Sequence, residues 1–122
     1  MGKKRILFVD NRPENIRQPV LRLQLAGYDV DEAAGGKEGL SKLRSDQYDL
    51  VILDSELPNE DGWDVLRDIR KDPKLKDVKV VVFMAPQGET GQLMLVKVDA
   101  ELRRPFSLGS LLAAVKKVVG EP

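Results

Sequence analysis

Two aspartates dominate the chemistry open to this chain. Asp10 closes the apolar run Ile6-Leu7-Phe8-Val9, and Asp54 closes the run Leu50-Val51-Ile52-Leu53. Each alone suits a strand-to-helix turn, where Asp caps the next helix. Brought together, the pair can hold a hard cation such as Mg2+, which takes oxygen ligands and keeps several waters. Composition removes most other chemistry. The chain has no His and no Cys, which excludes imidazole bases, Ser-His-Asp triads, zinc sites and thiol nucleophiles. Lys plus Arg is 20 and Asp plus Glu is 20, so the basic excess of a nucleic-acid binder is missing. Carboxylates, hydroxyls, amines, guanidinium groups or a bound ion must do the work.

The elements that position these residues follow from two alternating rhythms. Apolar runs rich in β-branched residues, at Ile6–Val9, Leu50–Leu53 and Val78–Met84 with Val80-Val81-Val82-Phe83 at its centre, suit strands buried on both faces. Shorter strands are expected at Tyr28–Ala33 and Ala100–Arg103. Between them, Ile16, Val20 and Leu23 recur at helical spacing behind Pro13, with Pro19 predicting a kink or a late start. Leu40 and Leu43 mark a second helix over Gly36–Asp46, and Trp63, Leu66 and Ile69 a core-facing third. Only Leu93–Val96 is expected to be ordered in the next connection. Ser107 caps a last helix that Gly120 closes. The alternation predicts an α/β fold: one open, doubly wound parallel sheet forming one domain over residues 1–122. Function in such sheets sits at the carboxyl ends of the strands. That singles out Asp10, Asn11, Asp54, Met84 and Arg104.

The start of the chain is a basic trio before four apolar residues, too short for a signal-peptide core or a membrane span. Ile6 stands where a myristoylation motif on Gly2 needs Ser or Thr. The expectation is a soluble cytoplasmic protein.

The sequence resembles the receiver domain of two-component response regulators, the CheY-like family. The resemblance rests on Ile6-Leu7-Phe8-Val9-Asp10-Asn11, on Val51-Ile52-Leu53-Asp54-Ser55-Glu56-Leu57-Pro58, on Asp61-Gly62 and on Arg104-Pro105-Phe106. It runs from about Arg5 to Val119. It implies a five-stranded sheet in the order 2-1-3-4-5 and a phosphorylation switch with Asp54 as phospho-acceptor. It also implies a Mg2+ ion held by Asp10, Asn11, Asp54 and the backbone carbonyl of Glu56. The implied partner is a histidine kinase or phosphotransfer protein, or another signalling protein. Neither nucleic acid nor membrane is expected to bind this domain. It is not an enzyme beyond catalysing its own phosphorylation and dephosphorylation.

The chain departs from the family pattern at several of these positions. Asn11 replaces an acidic ligand with a neutral amide, so Mg2+ binding is expected to be weak. Met84 stands where the family has Thr or Ser, Arg104 where it has Lys, and Glu101 where an aromatic residue often reports the switch. Arg keeps the charge but brings a planar fork in place of a compact ammonium. Pro105 restricts Arg104 to extended geometry and should aim it at Asp54. With Asp10 and Asp54 against Arg104, and Arg12 as a further cation, the pocket could balance its charge without metal. The plainer reading makes Arg12 a surface charge and Glu56 a solvated one. The expectation is a receiver-like domain, a pseudo-receiver, with impaired conventional phosphorylation that works through protein contacts. The alternative is a fully phosphorylatable, Mg2+-dependent receiver. An enzyme or cofactor binder on the same fold is disfavoured, because neither G-x-x-x-x-G-K-[ST] nor G-x-G-x-x-G occurs.

Overall fold

The five apolar runs form five strands: β1 (Arg5–Val9), β2 (Asp29–Ala33), β3 (Leu50–Asp54), β4 (Lys79–Met84) and β5 (Ala100–Arg103). The computed structural model describes residues 3–10, 12–57 and 59–122. Every strand pairing is parallel, as the alternation predicts, and the order is β2-β1-β3-β4-β5, as the family resemblance implies. Register aligns the strand ends. Val9 lies opposite both Ala33 and Leu53, Asp54 opposite Phe83, and Met84 opposite Arg103. Asp10, Asp54 and Arg104 therefore emerge at one edge of the sheet.

The period of two sorts the strand residues into two cores. Ile6, Phe8, Leu50, Ile52, Val81 and Phe83 pack with Ile16, Val20 and Leu23 of α1 (Pro13–Ala26) and with Leu111 and Val115 of α5 (Leu108–Val119). Leu7, Val9, Val51, Leu53, Val80, Val82 and Met84 pack on the other side. There they meet Leu43 of α2 (Gly36–Ser45) and Trp63, Leu66 and Ile69 of α3 (Gly62–Lys71). Burial on both faces explains why the strands read as unbroken apolar runs.

Helix ends follow their caps. Gly27 adopts φ 110° and its N–H bonds back to Leu23 and Gln24, ending α1. Ser107 accepts from the Ser110 N–H at 2.9 Å and opens α5. The expected late start at Pro19 does not occur: α1 begins at Pro13 and runs through Pro19. A proline there removes one backbone bond and crowds the preceding turn. Burial of Ile16, Val20 and Leu23 against the sheet offsets that loss. The next connection also differs. Helix α4 covers Thr90–Leu95, earlier than the expected Leu93–Val96. Its N-cap, Glu89, sits at φ 64° and is fixed by contacts described below.

The Asp61-Gly62 pair serves the junction between β3 and α3. Asp61 caps α3 by accepting from the Trp63 N–H at 2.8 Å. Gly62 lies so close to β3 that a Cβ would stand 2.2 Å from the Asp54 carbonyl oxygen and 2.7 Å from Ser55 Cα. Both of those neighbours are backbone, which cannot swing aside. Gly62→Ala should therefore destabilise the protein by about 2–4 kcal/mol, despite the better helix propensity of Ala. Chemical denaturation checks this, and an unchanged midpoint would contradict it.

Candidate functional site

Asp54 is fully buried at the end of β3, and both of its carboxylate oxygens are engaged. Oδ1 accepts from the Glu56 N–H at 2.8 Å. Oδ2 accepts from Arg104 Nη2 at 2.5 Å and from Arg12 Nη2 at 2.7 Å. Charge-assisted bonds of this kind are the strong ones, and two guanidinium groups converge here on one oxygen.

Each arginine is placed by local structure. Arg104 follows β5, and its N–H bonds to the Met84 carbonyl at 3.0 Å. Its guanidinium lies over the Phe83 ring, 5.6 Å from the centroid, and its Nη1 is 3.8 Å from Glu56 Oε1. Arg12 caps α1 in extended geometry, φ −113° and ψ 93°. The following Pro13 disfavours helical angles at this residue. Asp10 fixes the turn, its Oδ1 accepting from the Arg12 N–H at 3.0 Å. Arg12 then reaches across to the Glu56 carbonyl at 2.6 Å. The reading of Arg12 as a surface charge is thus corrected, because the attraction of two buried carboxylates outweighs its hydration. Glu56 keeps a side chain that is 54% exposed, close to the solvated reading.

Asp10 is buried beside Asp54, and its Oδ2 has no hydrogen-bond partner among the described residues. Burial first, then the neighbouring Asp54, pushes its pKa up to about 6, against the bond from the Arg12 N–H. Burial also opposes the charge of Arg12, but the attraction of Asp54 and Asp10 prevails and its pKa lies above the ordinary arginine value.

The other expected positions divide. Asn11 lies outside the described residues, as do Met1, Gly2 and Pro58. Met84 is fully buried in the core layer that contains Trp63. Glu101 is exposed on β5. Sequence reasoning missed Glu89 and Arg103. Glu89 accepts from Trp63 Nε1 at 2.8 Å through one oxygen and from the Ala85 N–H at 2.9 Å through the other. Burial raises its pKa, yet these bonds win and hold it below the ordinary carboxylate value. Arg103 donates to the Ala85 carbonyl at 3.1 Å and to Thr90 Oγ1 at 3.2 Å. Together they tie the segment after β4 to α3 and β5. Nothing in the residues near Glu89 signalled this. For Arg12 a signal existed: it precedes Pro13 just as Arg104 precedes Pro105.

A Mg2+ ion requires oxygen ligands at about 2.0–2.1 Å in octahedral array. Here the Arg12 nitrogen stands between two of the oxygens proposed for that role, Asp54 Oδ2 and the Glu56 carbonyl. Among the described residues no cluster of three or more acidic side chains could hold a metal. In this arrangement the site does not fit the ion.

The raised pKa of Asp10 has a consequence for stability. Between about pH 4 and pH 6 the folded state keeps a proton that the unfolded chain has released. The contribution of Asp10 to stability therefore falls as pH rises through that window. Asp10→Asn, neutral throughout, should stabilise the protein by about 1–3 kcal/mol near pH 8, and by little near pH 4. Thermal unfolding of both proteins across pH measures this; a loss of stability near pH 8 would overturn it.

Comparison with known proteins agrees with this fold. The chain is 31% identical over 117 residues to the DNA-binding dual master transcriptional regulator RpaA of Synechocystis sp., covering 94% of this chain and 48% of that protein. It thus spans about half the length of the curated relatives it matches. Among solved structures, a response regulator receiver protein from Pseudomonas putida superposes with a TM-score of 0.87 at 28% identity, covering 96% of this chain and 98% of that one. The receiver domain of a sensor histidine kinase from Pseudomonas aeruginosa gives 0.87 at 24%, covering 98% and 100%. It is described with a magnesium ion coordinated in its active site cleft. The model of the response regulator receiver domain matches residues 6–116, and with that match the chain belongs to the response regulator receiver domain family.

Proposed function

We propose that this receiver domain signals in a two-component phosphorelay with Asp54 capped, so that conventional phosphorylation at this residue is impaired. The observation that supports the reading is the bond from Arg104 Nη2 to Asp54 Oδ2 at 2.5 Å. Phosphoryl transfer depends on positioning and charge neutralisation around a free acceptor oxygen. Here one oxygen is shared by two guanidinium groups and the other is bonded to the Glu56 N–H. Arg104 keeps the positive charge of the family Lys but sits on the atom that would attack. Met84 offers no hydroxyl to a phosphoryl group. Output then depends on contacts with a kinase, a phosphotransfer protein or another signalling protein. Exposed apolar side chains suited to such contacts are Leu21 and Leu25 on α1 and Met94 and Leu95 on α4. In this reading the receiver-like unit occupies residues 1–122 and acts in the cytoplasm. None of the described helices is long and apolar enough to cross a membrane.

Retention of Asp54 at the end of β3 favours a second reading, an ordinary Mg2+-dependent phospho-acceptor. Mass spectrometry after incubation with acetyl phosphate and Mg2+ separates the two. The capped reading expects little labelling of the unmodified protein and about tenfold more for Arg104→Lys, a difference of about 1.4 kcal/mol. Equal, efficient labelling of both proteins would establish the ordinary acceptor instead. The same capping limits the conformational response. Beryllofluoride should move few amide signals between Met84 and Phe106, because a ligand shifts an equilibrium only through contacts that differ between the states. Large shifts over that range would contradict the expectation.

A further inference from the structure

The bond from Arg12 to the Glu56 carbonyl goes further than capping. One nitrogen, Nη2, lies 2.6 Å from that carbonyl and 2.7 Å from Asp54 Oδ2. The same guanidinium brings Nε to 3.6 Å from Asp10 Oδ1. With Asn11, these three groups make up the set that the family resemblance assigns to Mg2+. An ion bridging Asp54 and the Glu56 carbonyl would have to stand where the nitrogen stands.

We propose that the Arg12 guanidinium is the resident cation of this site, and that Asp10, Asp54 and the Glu56 carbonyl bind a divalent metal only when Arg12 is removed. The inference deepens the preceding reading, since it rests on these groups being the receiver's metal-binding set. Charge supports it. Asp10 and Asp54 carry two negative charges, and Arg12 and Arg104 carry two positive ones. Adding Mg2+ to that balance leaves a surplus of two in a largely buried site. Removing Arg12 leaves a deficit of one, which attracts the ion.

The unused atoms point the same way. Asp10 Oδ2 and Arg12 Nε are both buried without partners among the described residues. A planar fork can direct bonds to only some of the oxygens that an octahedral ion gathers. Asp10 Oδ2 is the ligand oxygen left over. Among the described residues, Arg12 makes no side-chain hydrogen bond to a group outside this set. The carboxylate of Asp54 and the Glu56 carbonyl hold its Nη2 in place.

The test is thermal unfolding of the unmodified protein, Arg12→Ala and the Arg12→Ala/Asp10→Asn double variant. Each is measured in chelator and in about 10 mM Mg2+, and Mn2+ broadening of amide NMR signals supplies a second readout. The unmodified protein should keep the same Tm in both buffers and lose no signals to Mn2+. Arg12→Ala should gain several degrees in Mg2+ and lose the Asp54 and Glu56 amide signals in Mn2+. The double variant should revert to insensitivity. If Arg12→Ala is unfolded in chelator, Mg2+ should restore the emission of buried Trp63, the only tryptophan of the chain; failure to restore it overturns the proposal. Mg2+ stabilising the unmodified protein as much as Arg12→Ala, or a folded Arg12→Ala indifferent to both ions, also overturns it. The titration involves no phosphoryl transfer. Since Arg12 would still exclude Mg2+ from Arg104→Lys, failed labelling of that variant counts against the capped acceptor only when Arg12→Ala/Arg104→Lys also labels no better than Arg12→Ala; a failed titration counts against the resident cation alone.

Discussion

The structure turns on one carboxylate that water does not reach. Asp54 ends a strand buried on both faces, and its exposure is 0%. A charge in that position costs several kcal/mol unless other charges and donors replace its hydration. Three donors do so: two guanidinium groups and one backbone N–H. To supply them, the chain returns to this point from three directions. The turn after β1 brings Arg12, the turn after β3 brings the Glu56 N–H, and the end of β5 brings Arg104. Parallel register makes this convergence possible, because every strand ends at the same edge. Gly62 completes it, since only a residue without Cβ lets α3 start against the Asp54 backbone.

The half of the site on β4 follows a different logic. Met84 is part of the core and adds apolar packing where the family carries a hydroxyl. The segment beyond it is held by Glu89, whose two oxygens bridge Trp63 on α3 and the Ala85 N–H. A non-glycine residue at φ 64° carries backbone strain, and those two bonds compensate it. Arg103 adds a tie to the same backbone from β5. This loop is thus fixed by protein groups on both sides, with no bond to Asp54. Arg104 is the link between the two halves, its guanidinium on Asp54 and its N–H on the Met84 carbonyl at the end of β4.

These two halves were unequally legible in the sequence. Strand positions were readable because two-sided burial leaves unbroken apolar runs, and their order was implied by the family resemblance. Asp10, Asp54 and Arg104 were readable because each closes a run. Arg12 was misread because a charge in a turn is ordinarily solvated. What reversed this was a long-range sum, two buried carboxylates and a carbonyl brought together by register, which no local window contains. Of the two outcomes that Pro19 allowed, the late start does not occur for a related reason: tertiary burial of the flanking apolar face holds the helix together through the proline. Glu89 left no trace at all. Its partners are 26 residues back along the chain on α3 and four residues back in its own loop. Its role exists only once both are placed.

A tethered cation also behaves differently from a bound one. Occupancy by a dissociable ion follows its concentration, and so does the stability that the ion confers. A guanidinium attached to the turn after β1 is present at a fixed and high effective concentration. With this guanidinium as the resident cation proposed above, its hold on Asp54 and on the Glu56 carbonyl would not vary with the metal content of the surroundings. It also links the β1 and β3 turns mechanically, so that displacing either requires breaking a charge-assisted bond within the buried site. A phosphoryl group arriving at Asp54 would have to break that link, displace Arg104 from Oδ2 and leave two cations without their carboxylate partner. On the proposed reading, a charge balance that the fold itself supplies through Arg12 and Arg104 stands in for the response to an ion and a phosphoryl group.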